Sequence, residues 1–340
     1  MTEKSYGGDN GVKNQGKLVK AKSESKAKIK KAKNENPASK ETKSESNLEL
    51  DSYIKAGEIA KKATEFARKL IKPGMPLLEI ARKIEQEIIK LGGEIGFPVN
   101  LSIDEVAAHY HPTIEDTKTA EGLLKVDIGV SINGYIADTA FSLDLTEDKK
   151  YKELIEASKN ALSSALDLLE KNPSLHEIGK AIQDEIEKKA FSPIVNLSGH
   201  ELGQYKVHAG ITIPNCGNNN QNKIEPGAYA IEPFATTGEG KVYDGQSSNI
   251  FSITDYKTPR GPTARKILDY ARKKYKTLPF SLREIQEKFG ALARLGMKEL
   301  EQSGIVHNFP QLIEKSKKPV SQAEHSFVKT KDGRIIVTTR

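Results

Sequence analysis

The sequence contains a single cysteine, Cys216, and no tryptophan among its 340 residues. One cysteine excludes an intramolecular disulfide and is typical of a protein from a reducing compartment. The N-terminus lacks the apolar core of a signal peptide, and no apolar run approaches the roughly 18 residues that span a membrane. We therefore expect a cytoplasmic protein without a membrane segment, in which Cys216 has no chemical role.

Positive charge is concentrated at the N-terminus. Residues 1–47 contain twelve lysines and six acidic residues with almost no large apolar side chains, whereas the remaining 293 residues carry 41 basic and 40 acidic groups. A segment of this composition cannot offset the entropy of ordering, so we predict a disordered Lys-rich tail at 1–47 and a folded domain at 48–340. Two uses of the tail stay open: a polycationic arm for ribosomal RNA or another polyanion, and a solubilising extension.

The order of helical and strand-like segments indicates a duplication. Helical spacing is found at 50–71, 76–93, 148–171 and 174–190, and a mostly helical block follows at 262–304. Six residues recur at one offset of 98 positions: Leu77, Glu79, Ile80, Ile84, Glu87 and Ile88 match Leu175, Glu177, Ile178, Ile182, Glu185 and Ile186. The repeat predicts an α+β fold with two helix–helix–strand units in pseudo-twofold symmetry, the paired helices covering one face of a central sheet.

Residues 125–141, KVDIGVSINGYIADTAF, are the most informative stretch. An Asn-Gly pair, Asn133 and Gly134, lies between apolar runs, which predicts a β-hairpin with a two-residue type I′ turn. In that register Asp127 and Asp138 become diagonal neighbours on one face, roughly 7 Å apart or less. Two buried carboxylates so close together require a positive charge between them, and a divalent cation is the natural one.

Four further clusters carry residues that could take part in chemistry. His200 and His208 stand eight positions apart in GHELGQYKVHAG. Glu232 lies in AIEPF and Glu324 in QAEHSF, both of which suggest strands, and His109 follows a short apolar, helix-like run. Taken alone, a histidine is more often a hydrogen-bonded structural residue than a ligand, and a glutamate on a strand can face solvent or form a salt bridge.

Taken together, the two aspartates, His200, Glu232 and Glu324 form an oxygen-rich set with one imidazole. Such a set suits two divalent ions, of Co²⁺, Mn²⁺, Fe²⁺ or Zn²⁺, better than a structural thiolate zinc site. Two ions about 3.5–4 Å apart lower the pKa of a bridging water and stabilise a tetrahedral intermediate. The composition of the set therefore predicts a metal-dependent hydrolase.

The order and context of these motifs resemble the methionine aminopeptidases, of the archaeal and eukaryotic type II subgroup within the M24 metallopeptidases. The resemblance covers about residues 50–340 and includes AAHYHP, KVDIGVSINGYIADTA, SGHELGQYKVHAG, YAIEPFATTG and AEHSFV in the family's order. The helical insertion at 262–304 is the mark of type II. The resemblance implies the duplicated "pita-bread" fold around a curved antiparallel sheet.

The same resemblance implies roles for individual residues. The family's metal ligands fall on Asp127, Asp138, His200, Glu232 and Glu324. Asp127 then chelates one metal, while Asp138 and Glu324 bridge both. His200 and Glu232 complete the shell of the second, and Glu232 also accepts a proton.

His208 corresponds to the histidine that stabilises the oxyanion, and His109 to the one near the substrate's amide nitrogen. The pocket for the methionine side chain is expected to include Phe97, Val207 and Phe309. The family often has tyrosine at the last of these positions. The remaining histidines match no catalytic role: His111, His176, His307 and His325.

The implied reaction is removal of the N-terminal methionine from nascent proteins with a small second residue, through attack of a metal-bridging hydroxide on the first peptide bond. We expect the enzyme to act as a monomer. The nearest alternative is a prolidase or aminopeptidase P, which shares the ligand types but usually carries a folded N-terminal domain. The alternative from another class is a non-catalytic relative that binds the ribosome or RNA. Such relatives lose metal ligands, and this sequence has all five.

Overall fold

The computed structural model describes residues 37–340, with side chains from Leu48 onward. Residues 1–36, which hold most of the predicted Lys-rich tail, lie outside the described residues. The first helix begins at Pro37 and therefore starts within the segment 1–47. In the described part of the chain, no helix is both long enough and apolar enough to cross a membrane.

Helices and strands follow in mixed order. The helices are α1 (Pro37–Leu70), α2 (Leu77–Lys90), α3 (Lys152–Leu168), α4 (Leu175–Glu187), α5 (Pro262–Lys274), α6 (Leu282–Phe289) and α7 (Ala293–Gln302). The first eight strands are β1 (Glu94–Ile103), β2 (Val106–Ala108), β3 (Leu123–Ile132), β4 (Tyr135–Asp144), β5 (Ser192–Pro193), β6 (Ser198–Leu202), β7 (Thr212–Pro214) and β8 (Gly227–Ile231). The last seven are β9 (Phe234–Thr236), β10 (Val242–Ile253), β11 (Phe280–Ser281), β12 (Val306–Glu314), β13 (Val320–Gln322), β14 (Glu324–Lys329) and β15 (Ile335–Val337).

An eight-stranded antiparallel sheet forms the centre of the fold, in the order β1-β3-β4-β14-β8-β6-β7, with β15 attached to β14. The apolar stripes of α1 and α2 pack on the β1–β3–β4 half in one core cluster. Those of α3 and α4 pack on the half around β8 and β14 in a second cluster. Each helix pair thus covers one half of the sheet, which confirms the predicted duplicated α+β architecture.

The hairpin of β3 and β4 has the register that the sequence predicts. Ile132 pairs with Tyr135, Gly129 with Asp138, and Asp127 with Ala140. The turn residues Asn133 and Gly134 have φ angles of 55° and 84°, so both adopt the left-handed conformation of a type I′ turn. The turn fixes the register, and the register places both aspartates on one face of the sheet.

The predicted helical block consists of α5, α6 and α7, interrupted by the short strand β11, which pairs with β10 in a second sheet. Pro262 occupies the first turn of α5, and the hydroxyl of Ser281 accepts a hydrogen bond from the backbone N–H of Glu284 to cap α6. The buried faces of these helices share one core with Phe97 and Val207. The block therefore supports residues that were predicted to form the substrate pocket.

Two local predictions were wrong. The apolar run before His109 is not helical but forms strand β2, which pairs with β12. A run of three residues is too short to show a period, and the choice was made by an available strand edge. Glu232 does not lie within a strand but directly after β8, because Pro233 has no N–H to continue the ladder.

Candidate active site

Four of the five predicted metal ligands lie on neighbouring strands of the central sheet, and the fifth, Glu232, directly follows one of these strands. In the spatial order β3, β4, β14, β8 and β6, they are Asp127, Asp138, Glu324, Glu232 at the end of its strand, and His200. All five line one cavity. The fold thus brings together residues that lie up to 197 positions apart in the sequence.

His200 is placed between two of the carboxylates. Its Nε2 atom lies 3.5 Å from Oε1 of Glu232 and 3.7 Å from Oδ2 of Asp138. One potential ligand atom from each of Asp138, His200 and Glu324 falls within 4.8 Å of the others, and all three residues are buried. This spacing is short enough for a single ion to contact all three side chains.

Burial without counter-charge has a strong effect on the acidic groups. It raises the pKa of Asp127 to about 7. Burial also raises the pKa values of Asp138, Glu232 and Glu324 well above their usual range, and repulsion among the carboxylates adds to the effect. Among the described residues, no lysine or arginine forms an ion pair with any of the four.

The carboxylate of Glu314 lies outside the site, and its pKa is shifted in the opposite direction. Its side chain is also fully buried, at the end of β12. Burial raises its pKa, but hydrogen bonds from the backbone N–H of Lys318 and from Ser316 outweigh burial and lower the pKa below its usual value. The carboxylates of the site have no comparable set of donors.

The residues fit divalent cations. Atom Oδ1 of Asp127 and atom Oδ1 of Asp138 are buried, and no donor in the described part of the chain reaches either of them. Buried carboxylate oxygens without donors are costly unless a cation takes the place of the missing donors. Four carboxylates and one imidazole supply hard oxygen and nitrogen ligands of the kind that Mn²⁺, Fe²⁺, Co²⁺ and Zn²⁺ accept.

His109 and His208 lie beside this cluster in the same cavity. The Nδ1 atom of His109 is 3.1 Å from the carbonyl oxygen of Pro310, and burial lowers the pKa of the imidazole to about 4. A carbonyl only accepts hydrogen bonds, so Nδ1 carries the proton and Nε2 keeps its lone pair. The ring of His208 packs edge-on to that of His200, with 4.4 Å between centroids, and burial lowers its pKa.

The three predicted pocket residues surround the same cavity. Phe97, Val207 and Phe309 line it together with Ile250 and Pro279, which makes part of the cavity lining apolar. A second cavity, lined by segments 196–198 and 210–212, shares five residues with the first: Ala108, His109, His200, His208 and Glu232. The cluster of predicted ligands therefore borders both an apolar pocket and a further cavity.

Two polar residues of the site were missed at the level of sequence. Asn100 lies opposite Asp127 across β1 and β3, is buried, and lines the cavity. The side-chain amide of Gln322 donates a hydrogen bond to Oε2 of Glu324 at 3.4 Å, and it partly offsets the rise that burial causes in the pKa of Asp127. The sequence offered only a weak indication of either residue. Asn100 stands in the mostly apolar run GFPVNL, and Gln322 stands two positions before Glu324 in SQAEHSF.

The histidines without a predicted role stand outside the cavity. His111 is buried, with Nδ1 2.8 Å from the carbonyl oxygen of Val99. His325 pairs with the hydroxyl of Thr339, and the Nδ1 of His176 accepts a hydrogen bond from the backbone of Asn219. None of these histidines lines either cavity.

Comparison with known proteins is informative at the level of family. The family model "Metallopeptidase family M24" matches residues 51–255. The methionine aminopeptidase of Pyrococcus horikoshii is 45% identical over 86% of this chain and 100% of its own length. The methionine aminopeptidase of Methanocaldococcus jannaschii is 41% identical over 86% of this chain and 100% of its own length.

Solved structures agree on the fold. A thermophilic Arx1 superposes with a TM-score of 0.73 at 18% identity, covering 85% of this chain and 90% of its own. The methionine aminopeptidase of Thermotoga maritima gives a TM-score of 0.60 at 18% identity, covering 86% of this chain and 97% of its own. At this level of identity the two structures support the fold alone.

Proposed function

The chain belongs to metallopeptidase family M24, and we propose that it removes the N-terminal methionine from nascent proteins. It is a metal-dependent aminopeptidase, similar over its folded domain to the methionine aminopeptidases. One observation carries the proposal. Asp127, Asp138, Glu324 and His200 on neighbouring strands, and Glu232 directly after β8, meet beside an apolar pocket. Among the described residues, no lysine or arginine forms an ion pair with these carboxylates.

Two divalent ions, of Co²⁺, Mn²⁺, Fe²⁺ or Zn²⁺, are proposed for the site. Asp138 and Glu324, on the neighbouring strands β4 and β14, would both hold the ions. Asp127 would complete the coordination on one side. His200 and Glu232, whose side chains lie 3.5 Å apart, would complete it on the other.

When bound, the ions would supply a Lewis acid and lower the pKa of a water. Glu232 is proposed to accept the proton and return it to the leaving amine, because its carboxylate faces both cavities and its pKa is raised by burial. His208, neutral because burial lowers its pKa, would donate a hydrogen bond to the scissile carbonyl oxygen. His109, with a free lone pair on Nε2, would accept one from a peptide N–H.

The substrate's first side chain is proposed to occupy the apolar side of the cavity, between Phe97, Val207 and Phe309. The rest of the peptide would leave through the second cavity. In this arrangement the free α-amine lies against the carboxylates, which restricts cleavage to the N-terminal bond. A preference for a small second residue and action in the cytoplasm as a monomer belong to the same proposal.

The activity is tested with a Met-Gly-type peptide, its N-acetylated form and an X-Pro peptide, each incubated with purified protein across titrations of Co²⁺ and Mn²⁺. We expect metal-dependent release of free methionine from the first peptide only. Glu324→Gln should abolish release. Glu314→Gln removes an equally buried carboxylate outside the site and should retain it. Faster release from the X-Pro peptide, or no release with either metal, would refute the proposal.

The Lys-rich segment 1–47 is proposed to contact ribosomal RNA or another polyanion, through its twelve lysines. Binding to phosphates should weaken steeply with salt, because counterions released from the nucleic acid drive it. Co-sedimentation of ribosomes with the full chain and with a variant starting at Leu48, across a salt series, tests this. Equal binding by both proteins would leave the solubilising role as the explanation.

A further inference from the structure

Strand β14 changes its pairing partner along one edge, beside the proposed metal site. One of its edges pairs with β8 from His325 to Lys329. The other edge pairs with β4 only at Glu324 and His325, and then with β15 from Phe327 onward. The backbone N–H of Ser326 bonds the hydroxyl of Thr339, and its carbonyl accepts the N–H of Thr338. At Ser326, therefore, β14 turns its backbone from β4 to the C-terminal segment.

Because of this change of partner, Asp138 lacks the backbone partner on β14 that it would have in a continued ladder. In a continued ladder, the residue beyond the pair His325–Thr139 would be Ser326 opposite Asp138. In its place, the hydroxyl of Ser326 accepts a hydrogen bond from the N–H of Asp138 at 2.6 Å and donates one to the carbonyl oxygen of Asp138 at 2.6 Å. A single side-chain oxygen thus satisfies both backbone groups of one ligand residue.

Neighbouring hydroxyls join the same two strands. Thr139 donates to the carbonyl oxygen of Glu324 at 2.9 Å. Ser142 donates to the carbonyl oxygen of Gln322 and accepts from its N–H, both at 2.8 Å. Hydroxyl groups therefore set the spacing between β4 and the β13–β14 segment where backbone pairing is shortest.

We propose that Ser326 is a positioning residue, whose hydroxyl fixes the separation of the Asp138 and Glu324 carboxylates for shared coordination of divalent ions. This rests on the proposed metal site. Ser326 and Asp138 are 2% and 3% exposed, so no bulk water is available to replace the lost bonds. Without the hydroxyl, the N–H and carbonyl of Asp138 must shift to find partners, and its carboxylate moves with them.

The test compares Ser326→Ala with Ser321→Ala. Ser321 is also fully buried and lies on the same run of chain, but its hydroxyl donates to the carbonyl of Leu154 in α3. Co²⁺ is titrated into the full-length, metal-free proteins, and binding is followed by visible absorption and by calorimetry. Both variants should lose thermal stability, but only Ser326→Ala should bind Co²⁺ about 10–100-fold more weakly.

Ser326→Thr keeps the hydroxyl, and threonine is favourable in a strand. This variant should bind Co²⁺ with an affinity within a few-fold of that of the parent protein. Equal Co²⁺ affinity in Ser326→Ala and the parent protein would overturn the inference. Equal weakening in Ser321→Ala would also overturn it, since the effect would then be general destabilisation. If the parent protein itself bound no Co²⁺, both the inference and the proposed metal site would fall.

Discussion

The ring of Phe97 lies against the bare α-carbon of Gly129 across strands β1 and β3. So little space separates them that a methyl group on Gly129 would come within 2.3 Å of two ring carbons. Phe97 also lines the cavity beside the proposed metal ligands. Because Gly129 has no side chain, the ring of Phe97 can occupy its position in the wall of the cavity.

Gly129→Ala should push Phe97 into the pocket. Overpacking of this kind typically costs about 1–3 kcal/mol, and displacement of the ring should raise KM for a methionyl peptide by about tenfold with a smaller change in kcat. Steady-state kinetics measures the split. The double variant with Phe97→Leu should recover part of the loss, because the smaller side chain leaves room for the new methyl group. A fall in kcat with KM unchanged would contradict this account of the pocket wall.

His109→Ala should lower kcat/KM by about 10–100-fold while bound metal is unchanged. In the proposed arrangement the imidazole is not among the metal ligands. Its Nδ1 donates to the carbonyl of Pro310, and its Nε2 accepts a hydrogen bond from the substrate. Kinetics and elemental analysis of the same preparation measure both quantities. His176→Ala, on helix α4 outside the cavity, is the control and should leave both unchanged. Parallel loss of metal and activity in His109→Ala would show that the residue acts on the metal site itself.

The metal-free protein should become less stable as pH rises from about 4 to about 7. Burial raises the pKa of Asp127 from 3.8 to about 7, so the folded state holds a proton that the unfolded state releases. The stabilisation from that proton is complete below pH 3.8 and is lost as pH rises through 7. The shifts of Asp138, Glu232 and Glu324 have the same direction.

Melting of the parent protein and of Asp127→Asn, both in a chelator, measures this effect. Asparagine cannot ionise, so the Tm of the variant minus that of the parent should increase with pH across this range. Excess Mn²⁺ should reverse the trend in the parent protein, because the cation stabilises the ionised carboxylates. A difference in Tm that does not vary with pH would show that Asp127 does not titrate in the folded protein.

Divalent metal should raise the melting temperature of the parent protein. A ligand at a hundred times its Kd stabilises the folded state by about 2.7 kcal/mol, which is a shift of a few degrees for a domain of this size. Differential scanning calorimetry with and without Mn²⁺ measures the shift. Glu324→Gln should show little or no shift. Glu314→Gln should show the full shift, because the Glu314 carboxylate accepts hydrogen bonds from the backbone N–H groups of Glu239 and Ser316, outside the site. An equal shift in both variants would exclude Glu324 as a ligand.

Much of the fold could be predicted from the sequence because the signals are local. The Asn133–Gly134 turn fixes its own φ angles, and the alternation on either side fixes the register of β3 and β4. The helix pairs were readable from their spacing and from a repeat at a constant offset. The strand at 106–108 and the position of Glu232 were not, since the first depends on an edge offered by β12 and the second on Pro233.

The sequence by itself determined the helix pairs, the aspartate hairpin, the family and the set of candidate ligands. Tertiary structure alone decided the partners that those residues meet. Asp138 and Ser326 are 188 positions apart, and nothing near either residue indicates that one hydroxyl will satisfy both backbone groups of the other. The contact between Phe97 and Gly129 depends in the same way on the pairing of β1 with β3. Local patterns fix backbone geometry within a few residues. The distances between the candidate ligand side chains are set by packing between strands that are distant in the sequence.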